Sequence, residues 1–153
     1  MIAPGIVELA SRLRADGLHI TIETAGTVFA ELACDLMSIS PKLANSTPWE
    51  REGGRWANTH ERLRFQPEVL AKLVKSYPHQ LKFVVTSEKD LEEIDTIQAS
   101  IGALSSSIIL MPEGTDRDIL RQRGLWLVEI CKRRGFRFSP RLHVELWGDR
   151  RGI

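Results

Sequence analysis

Four short clusters in this sequence bring together side chains that can do chemistry. In Glu23-Thr24-Ala25-Gly26-Thr27 a carboxylate and two hydroxyls stand beside a glycine. The missing Cβ would let the backbone approach a polar ligand closely; a strand-to-helix turn with a cap would use the same residues. In Ser40-Pro41-Lys42 the proline fixes the chain and the lysine can offer a positive charge to a carboxylate or phosphate, although an ordinary exit turn has the same composition. Met111-Pro112-Glu113-Gly114-Thr115 can present backbone groups and one carboxylate to a nucleoside, while Thr115 also suits a helix N-cap. In Arg141-Leu142-His143-Val144-Glu145-Leu146-Trp147, strict alternation on an extended chain would put Arg141, His143 and Glu145 on one face. Such a line of ionisable groups can bind an anion or move a proton, and a solvated edge strand would carry the same pattern. Lys82 lies inside an otherwise apolar run, where a charge needs a partner or a ligand.

These clusters fall at the ends of expected strands. Ile6, Val7, Leu9, Ala10 and Leu13 recur at helical spacing after Pro4, with Gly17 as the stop. Residues 19–24 and 35–40 read as strands, 67–77 as a helix, 80–86 as a strand. A helix over 87–103 opens on Ser87 and Asp90, a capping-box pattern with Asp in place of Glu. A strand over 107–111, a helix from about Thr115 to Arg134 capped by Gly135, and an extended segment over 136–147 complete the chain. Strands alternating with helices predict parallel βα units with right-handed crossovers. The pattern alone leaves a partial barrel and an open sheet equally available. One domain over residues 1–153 is expected, interrupted by a long aperiodic segment at 41–66. That segment leaves the C-terminal end of a strand, the edge at which α/β proteins bind ligands.

The composition, 42% hydrophobic and 27% charged, is that of a globular protein, and no apolar run reaches the roughly 20 residues of a membrane span. Without a signal-peptide pattern at the start, a cytoplasmic location is expected. A net charge of +1 hides an asymmetry: residues 117–153 carry ten Lys/Arg against four Asp/Glu. That basic end can attract anions; no nucleic-acid-binding motif accompanies it, so no direct nucleic-acid partner and no membrane partner is expected. Cys34 and Cys131 form neither metal-ligand spacing nor a CxxC pair, and each reads as a small buried hydrophobe. Walker, GxGxxG, HExxH and GxSxG signatures do not occur.

The segments TIETAGT (21–27), CDLMSISPKLANSTP (34–48), QLKFVV (80–85), LMPEGT (110–115) and RLHVELWGDRRG (141–152) resemble, in order, those of the 7-carboxy-7-deazaguanine synthase family of radical S-adenosylmethionine (SAM) enzymes. SISPKL and LHxxLWGxxRG are the more specific of these marks. The resemblance implies a partial (β/α) barrel of radical-SAM type and a carbon–nitrogen lyase that turns 6-carboxy-5,6,7,8-tetrahydropterin into 7-carboxy-7-deazaguanine with loss of ammonia. That reaction is a step toward queuosine and other 7-deazapurines in tRNA modification. It implies SAM, a [4Fe–4S] cluster and Mg2+ as cofactors, a small pterin substrate, and a homodimer. Carried over by position, Ser40, Pro41, Lys42 and Met111, Pro112, Glu113, Gly114 match SAM-contacting stretches. Glu23, Thr24, Lys82, His143 and Ile153 fall on the substrate side.

The family's three-cysteine motif and Gly-Gly-Glu-Pro turn have no counterpart here. The expectation is therefore a C-terminal portion lacking the cluster-binding strand and loop, with Met1 an internal methionine, inactive as these 153 residues alone. The rival expectations are a non-catalytic remnant that binds SAM, a pterin or a purine, and a subunit that needs a cluster-bearing partner.

Overall fold

The computed structural model describes residues 4–150. Five strands, β1 (Thr21–Thr24), β2 (Leu36–Ile39), β3 (His79–Val85), β4 (Ile108–Pro112) and β5 (Arg137–Phe138), form one sheet in chain order. All four pairings are parallel. Around them run α1 (Ile6–Ala15), α2 (Ala57–Arg64), α3 (Pro67–Ser76), α4 (Asp90–Ile101), α5 (Arg117–Arg134) and α6 (Leu142–Trp147).

Side chains alternate across a strand, and here the alternation separates an apolar face from a polar one. Met37, Ile39, Leu81, Phe83, Val85, Ile108 and Leu110 are buried in a core with Leu70 and Leu73 of α3, Ile94 and Ile97 of α4, and Leu127 and Ile130 of α5. The opposite face carries Glu23, Ser38, Gln80 and Lys82. Glu23 is in register with Ser38, and Ser38 with Gln80. The Gln80 Nε2 donates to Ser38 Oγ at 3.0 Å, and Lys82 Nζ lies 4.0 Å from Glu23 Oε1. The charge inside the apolar run of β3 thus sits on the polar face with a carboxylate partner two strands away.

The helix ends follow local chemistry. Gly135 closes α5 at φ 68°, as its position past the last periodic residue predicts. The N-cap of α5 is Asp116 rather than Thr115: its carboxylate accepts from the backbone N–H of Asp118 and Ile119 at 2.9 and 3.0 Å. A carboxylate also complements the positive end of the helix dipole better than a hydroxyl. The aperiodic segment is not without structure, since it contains two 3-10 turns and α2.

The expected extended segment over 136–147 is corrected. Only Arg137 and Phe138 pair with β4, and Ser139 N donates the last ladder bond to Leu110 O. Pro140 has no N–H to continue the ladder, and the chain turns into α6, buried through Val144. Alternating Leu142, Val144 and Leu146 looked like a strand. On a helix of 3.6 residues per turn, His143 and Glu145 instead point about 200° apart, so the three ionisable groups share no face.

Gly26 serves the packing of the core in addition to the turn that its sequence context allowed. It is buried at φ 74°, and a Cβ there would lie 2.2 Å from Leu70 Cδ2 and 3.0 Å from Ile39 Cγ2. The bare backbone is needed by the core. Gly26→Ala is expected to cost about 2 kcal/mol through the left-handed backbone and the overlap with Leu70. A urea unfolding midpoint unchanged by the substitution would contradict this packing.

Candidate functional site

The strand C-termini converge on two cavities that share a wall. The smaller, about 230 Å³, is lined by Glu23, Thr24, Ser38, Ser40, Lys42 and Lys82. The larger, about 580 Å³, includes Ser40, Pro41, Lys42, His60, Glu113 and Arg141, with Asn45 and Thr86 beside them. Ser40 and Lys42 border both. Parallel strands put their C-terminal ends on one edge, which is why residues 60 to 100 positions apart in sequence meet there.

The exit from β2 is held tightly. Ser40 N donates to Thr24 O at 2.7 Å, and Pro41 is buried. The carbonyl of Lys42 accepts from Arg64 Nη1 at 3.1 Å. Arg64, whose side chain is only 13% exposed, also grips Glu61 at 2.9 Å and pairs with Glu93. Burial works against the Arg64 charge, but hydrogen bonds to Glu93 and Glu61 outweigh it and hold the group more firmly protonated than usual. Burial likewise pushes the Glu61 carboxyl up, and the donors Thr47 and Arg64 more than reverse this, leaving it below its ordinary value. Among the described residues the Lys42 ammonium makes no ion pair, so its charge is available to the cavities.

His60 enters the larger cavity from α2 with a defined orientation. The Thr47 hydroxyl gives its single proton to Glu61, so toward His60 Nδ1, 3.2 Å away, it can only accept. Its Nε2 lies 3.5 Å from the Ser46 hydroxyl, whose proton goes to the Leu43 carbonyl, so the ring is held between two hydroxyls.

The far rim rests on Asp90. Its Oδ2 accepts from Thr86 N at 2.6 Å, Thr86 Oγ1 at 2.8 Å, Asn45 Nδ2 at 2.9 Å and Ser87 N at 3.1 Å. The bond from Ser87 N is one half of the expected capping box. Burial of Asp90 raises its pKa, and these donors pull it back below the ordinary value.

Of the residues expected to contact SAM, Ser40, Pro41, Lys42 and Glu113 line the larger cavity together. Glu113 is already paired with Arg123, Nη1 to Oε2 at 2.6 Å. Met111 is half-buried and Pro112 is buried in the β4 ladder opposite Val85. Gly114 offers its carbonyl to Arg141 Nη1 at 3.0 Å. On the substrate side Glu23, Thr24 and Lys82 meet in the smaller cavity. His143 stands exposed on α6 and borders neither cavity; Ile153 lies outside the described residues.

His60, Asn45 and Thr86 escaped the sequence reading as site residues. A helix hidden in an aperiodic segment presents the first, and the Asp90 hydrogen bonds gather the other two. The signals were the place of Asn45 within the segment 34–48, followed by Ser46 and Thr47, and Asp90 itself.

Cys34 and Cys131 are both buried, and burial pushes both thiols up. Among the described residues no group of three His, Cys, Asp or Glu side chains could hold a metal ion. The residues present therefore do not fit an iron–sulfur cluster, which needs several thiolates. Among the described residues no helix is long and apolar enough to cross a membrane.

No family model matches the chain. It is 40% identical to the 7-carboxy-7-deazaguanine synthase of Halobacterium salinarum over 94% of its own length. It is 39% identical to that of Rhodopirellula baltica over 99%, and 31% identical to that of Pyrobaculum aerophilum over 97%. In each case the chain spans 60% of the relative's length. The resemblance carried by the motifs thus extends along nearly the whole chain.

Proposed function

We propose, for a chain homologous along nearly its whole length to 7-carboxy-7-deazaguanine synthases, that its two joined cavities form the ligand-binding wall of such an enzyme. SAM occupies the larger cavity and the carboxylated pterin the smaller. The observation that carries this reading is the common wall: Ser40 and Lys42 border both spaces, so ligands in the two would be neighbours. Radical transfer between two small molecules requires that proximity, and positioning is what a protein contributes to cofactor chemistry.

In this arrangement Lys42 supplies a cation at the junction, and Ser40 supplies a hydroxyl. Glu23, Thr24 and Lys82 give the smaller cavity a donor and acceptor set suited to a pterin's amide-like edge and carboxylate. The cluster that would cleave SAM finds no ligand set in these residues, so no step through it is assigned to them. Lyase activity, Mg2+, homodimer formation and a cytoplasmic location belong to the same proposal. They rest on the resemblance rather than on the cavities.

Binding to the purified chain tests the proposal without requiring turnover. SAM and 6-carboxytetrahydropterin are each expected to bind. Lys42→Ala should weaken both about tenfold, the size of one lost charged contact, while Lys82→Ala should weaken only the pterin. Failure of both ligands to bind would overturn the assignment, as would loss of SAM on substituting Lys82 with Lys42→Ala inert.

A further inference from the structure

Arg141 presents an unsatisfied donor beside the larger cavity. Its Nη1 is spent on the Gly114 carbonyl at 3.0 Å, while its Nε is shielded from solvent and has no acceptor. Among the described residues Nη2 makes no hydrogen bond either. A guanidinium offers two N–H pairs on adjacent edges, and the Nε–Nη2 edge is one that grips a carboxylate with two parallel bonds. The carboxylate in the cavity wall, Glu113, is committed to Arg123. Lys42, the other cation bordering the cavity, also lacks a carboxylate among the described residues.

We propose that Arg141 is a specificity-determining residue of the larger cavity, taking the carboxylate of the bound ligand on its Nε–Nη2 edge with Lys42 as the second cation. A buried donor without an acceptor is costly, and an incoming carboxylate removes that cost while neutralising charge in a partly enclosed space. A ligand of the same shape without a carboxylate leaves the donor bare, so the site discriminates between the two. The position of Arg141 at the start of α6, just after the Pro140 break, is what brings it over Gly114; an extended continuation of β5 would have carried it past the cavity.

This inference rests on the assignment of SAM to the larger cavity, and the experiment separates the two. Dissociation constants are measured by calorimetry for SAM and for 5′-methylthioadenosine, which keeps the nucleoside and lacks the amino-acid carboxylate. Arg141→Gln should raise the SAM constant about tenfold or more and leave that of methylthioadenosine within about twofold. Arg141→Lys, which keeps charge but loses the paired donors, should recover only part. Equal losses for both nucleosides in Arg141→Gln and Arg141→Lys, or no loss for either, would overturn the proposal.

If the unaltered chain binds neither nucleoside, the assignment of SAM fails. The proposal is then decided by thermal protection in acetate against chloride at matched ionic strength. Acetate protection that disappears in Arg141→Gln upholds a carboxylate site, and protection that is absent or unchanged by the substitution rejects it.

Discussion

Asp90→Ala is expected to lower stability by about 3 kcal/mol, because it strips one acceptor from four donors at once and leaves backbone N–H groups at a partly buried turn without partners. Two competing effects decide the sign. Burying a carboxylate is costly, and that alone would make an alanine attractive. The depressed pKa of Asp90 shows that the donors outweigh the burial. A carboxyl whose folded pKa lies below its unfolded value contributes stability that is fully present above the ordinary carboxylate range and is lost as pH falls through the folded value. Unfolding free energy should therefore fall in acid for the unaltered chain, and part of that dependence should be missing in Asp90→Asn. Asn45 and Thr86 line the larger cavity and hang on the same carboxylate, so the substitution should also weaken binding of the SAM proposed for that cavity. Urea unfolding at pH 7 and at about pH 2.5, below the ordinary carboxylate value, checks the loss and its acid dependence, and calorimetric titration checks the binding. A loss under 1 kcal/mol with the acid dependence intact would show that water replaces Asp90.

The parts of the fold legible in sequence were those with one strong period or one punctuating residue. β3 reads as a strand because Leu81, Phe83 and Val85 alternate with Gln80, Lys82 and Val84, and it is one. The α5 terminus is marked by Gly135, and α3 by Pro67 with Val69, Leu70, Leu73 and Val74. The C-terminal segment failed for a reason that lies in its brevity. Over six residues, Leu142, Val144 and Leu146 satisfy a period of two, and a single turn buried through Val144 satisfies the contacts. Pro140 was the evidence against a continuing ladder. Choosing between the two needs the position of Gly114, which receives the Arg141 guanidinium from 27 residues away.

The candidate site was legible in the same uneven way. Thr24, Ser40 and Lys42 come together because parallel strands deliver their C-terminal ends to one edge, which the βα order already implied, and Glu23 and Lys82 join them because alternation puts both on one face of the sheet. The residues supplied by the aperiodic segment were not legible, since α2 has no apolar stripe to reveal it. Of its eight residues only Ala57 is buried. What fixes α2 is polar, and polar anchors leave no period in a sequence.

Arg64 is the chief of those anchors, and its removal is the sharpest test of how the site is assembled. Its guanidinium joins the Lys42 carbonyl after β2, Glu61 on α2 and Glu93 on α4. Arg64→Ala should cost about 2–3 kcal/mol, less than a fully buried pair because Glu61 and Glu93 keep some exposure, and more than a surface bridge because Arg64 itself is largely enclosed. The loss should be nearly independent of salt, since enclosed pairs are screened little. Acid should narrow the gap between the two proteins: Glu61 titrates below its ordinary value in the folded chain, so its share of the stability is present above the carboxylate range and vanishes as pH falls through the lower folded pKa. Lysine at position 64 could restore one contact but not the branching of three, so Arg64→Lys should recover less than half of the loss. The decisive readout is binding. If Arg64 sets the path of the chain through Lys42, Arg64→Ala should weaken SAM even though Arg64 borders neither cavity. A double-mutant cycle with Lys42→Ala should then show the two losses to be strongly non-additive. Additive losses would mean that Lys42 is placed by Pro41 and the Ser40 N to Thr24 O bond alone, and that the α2 clamp serves stability only.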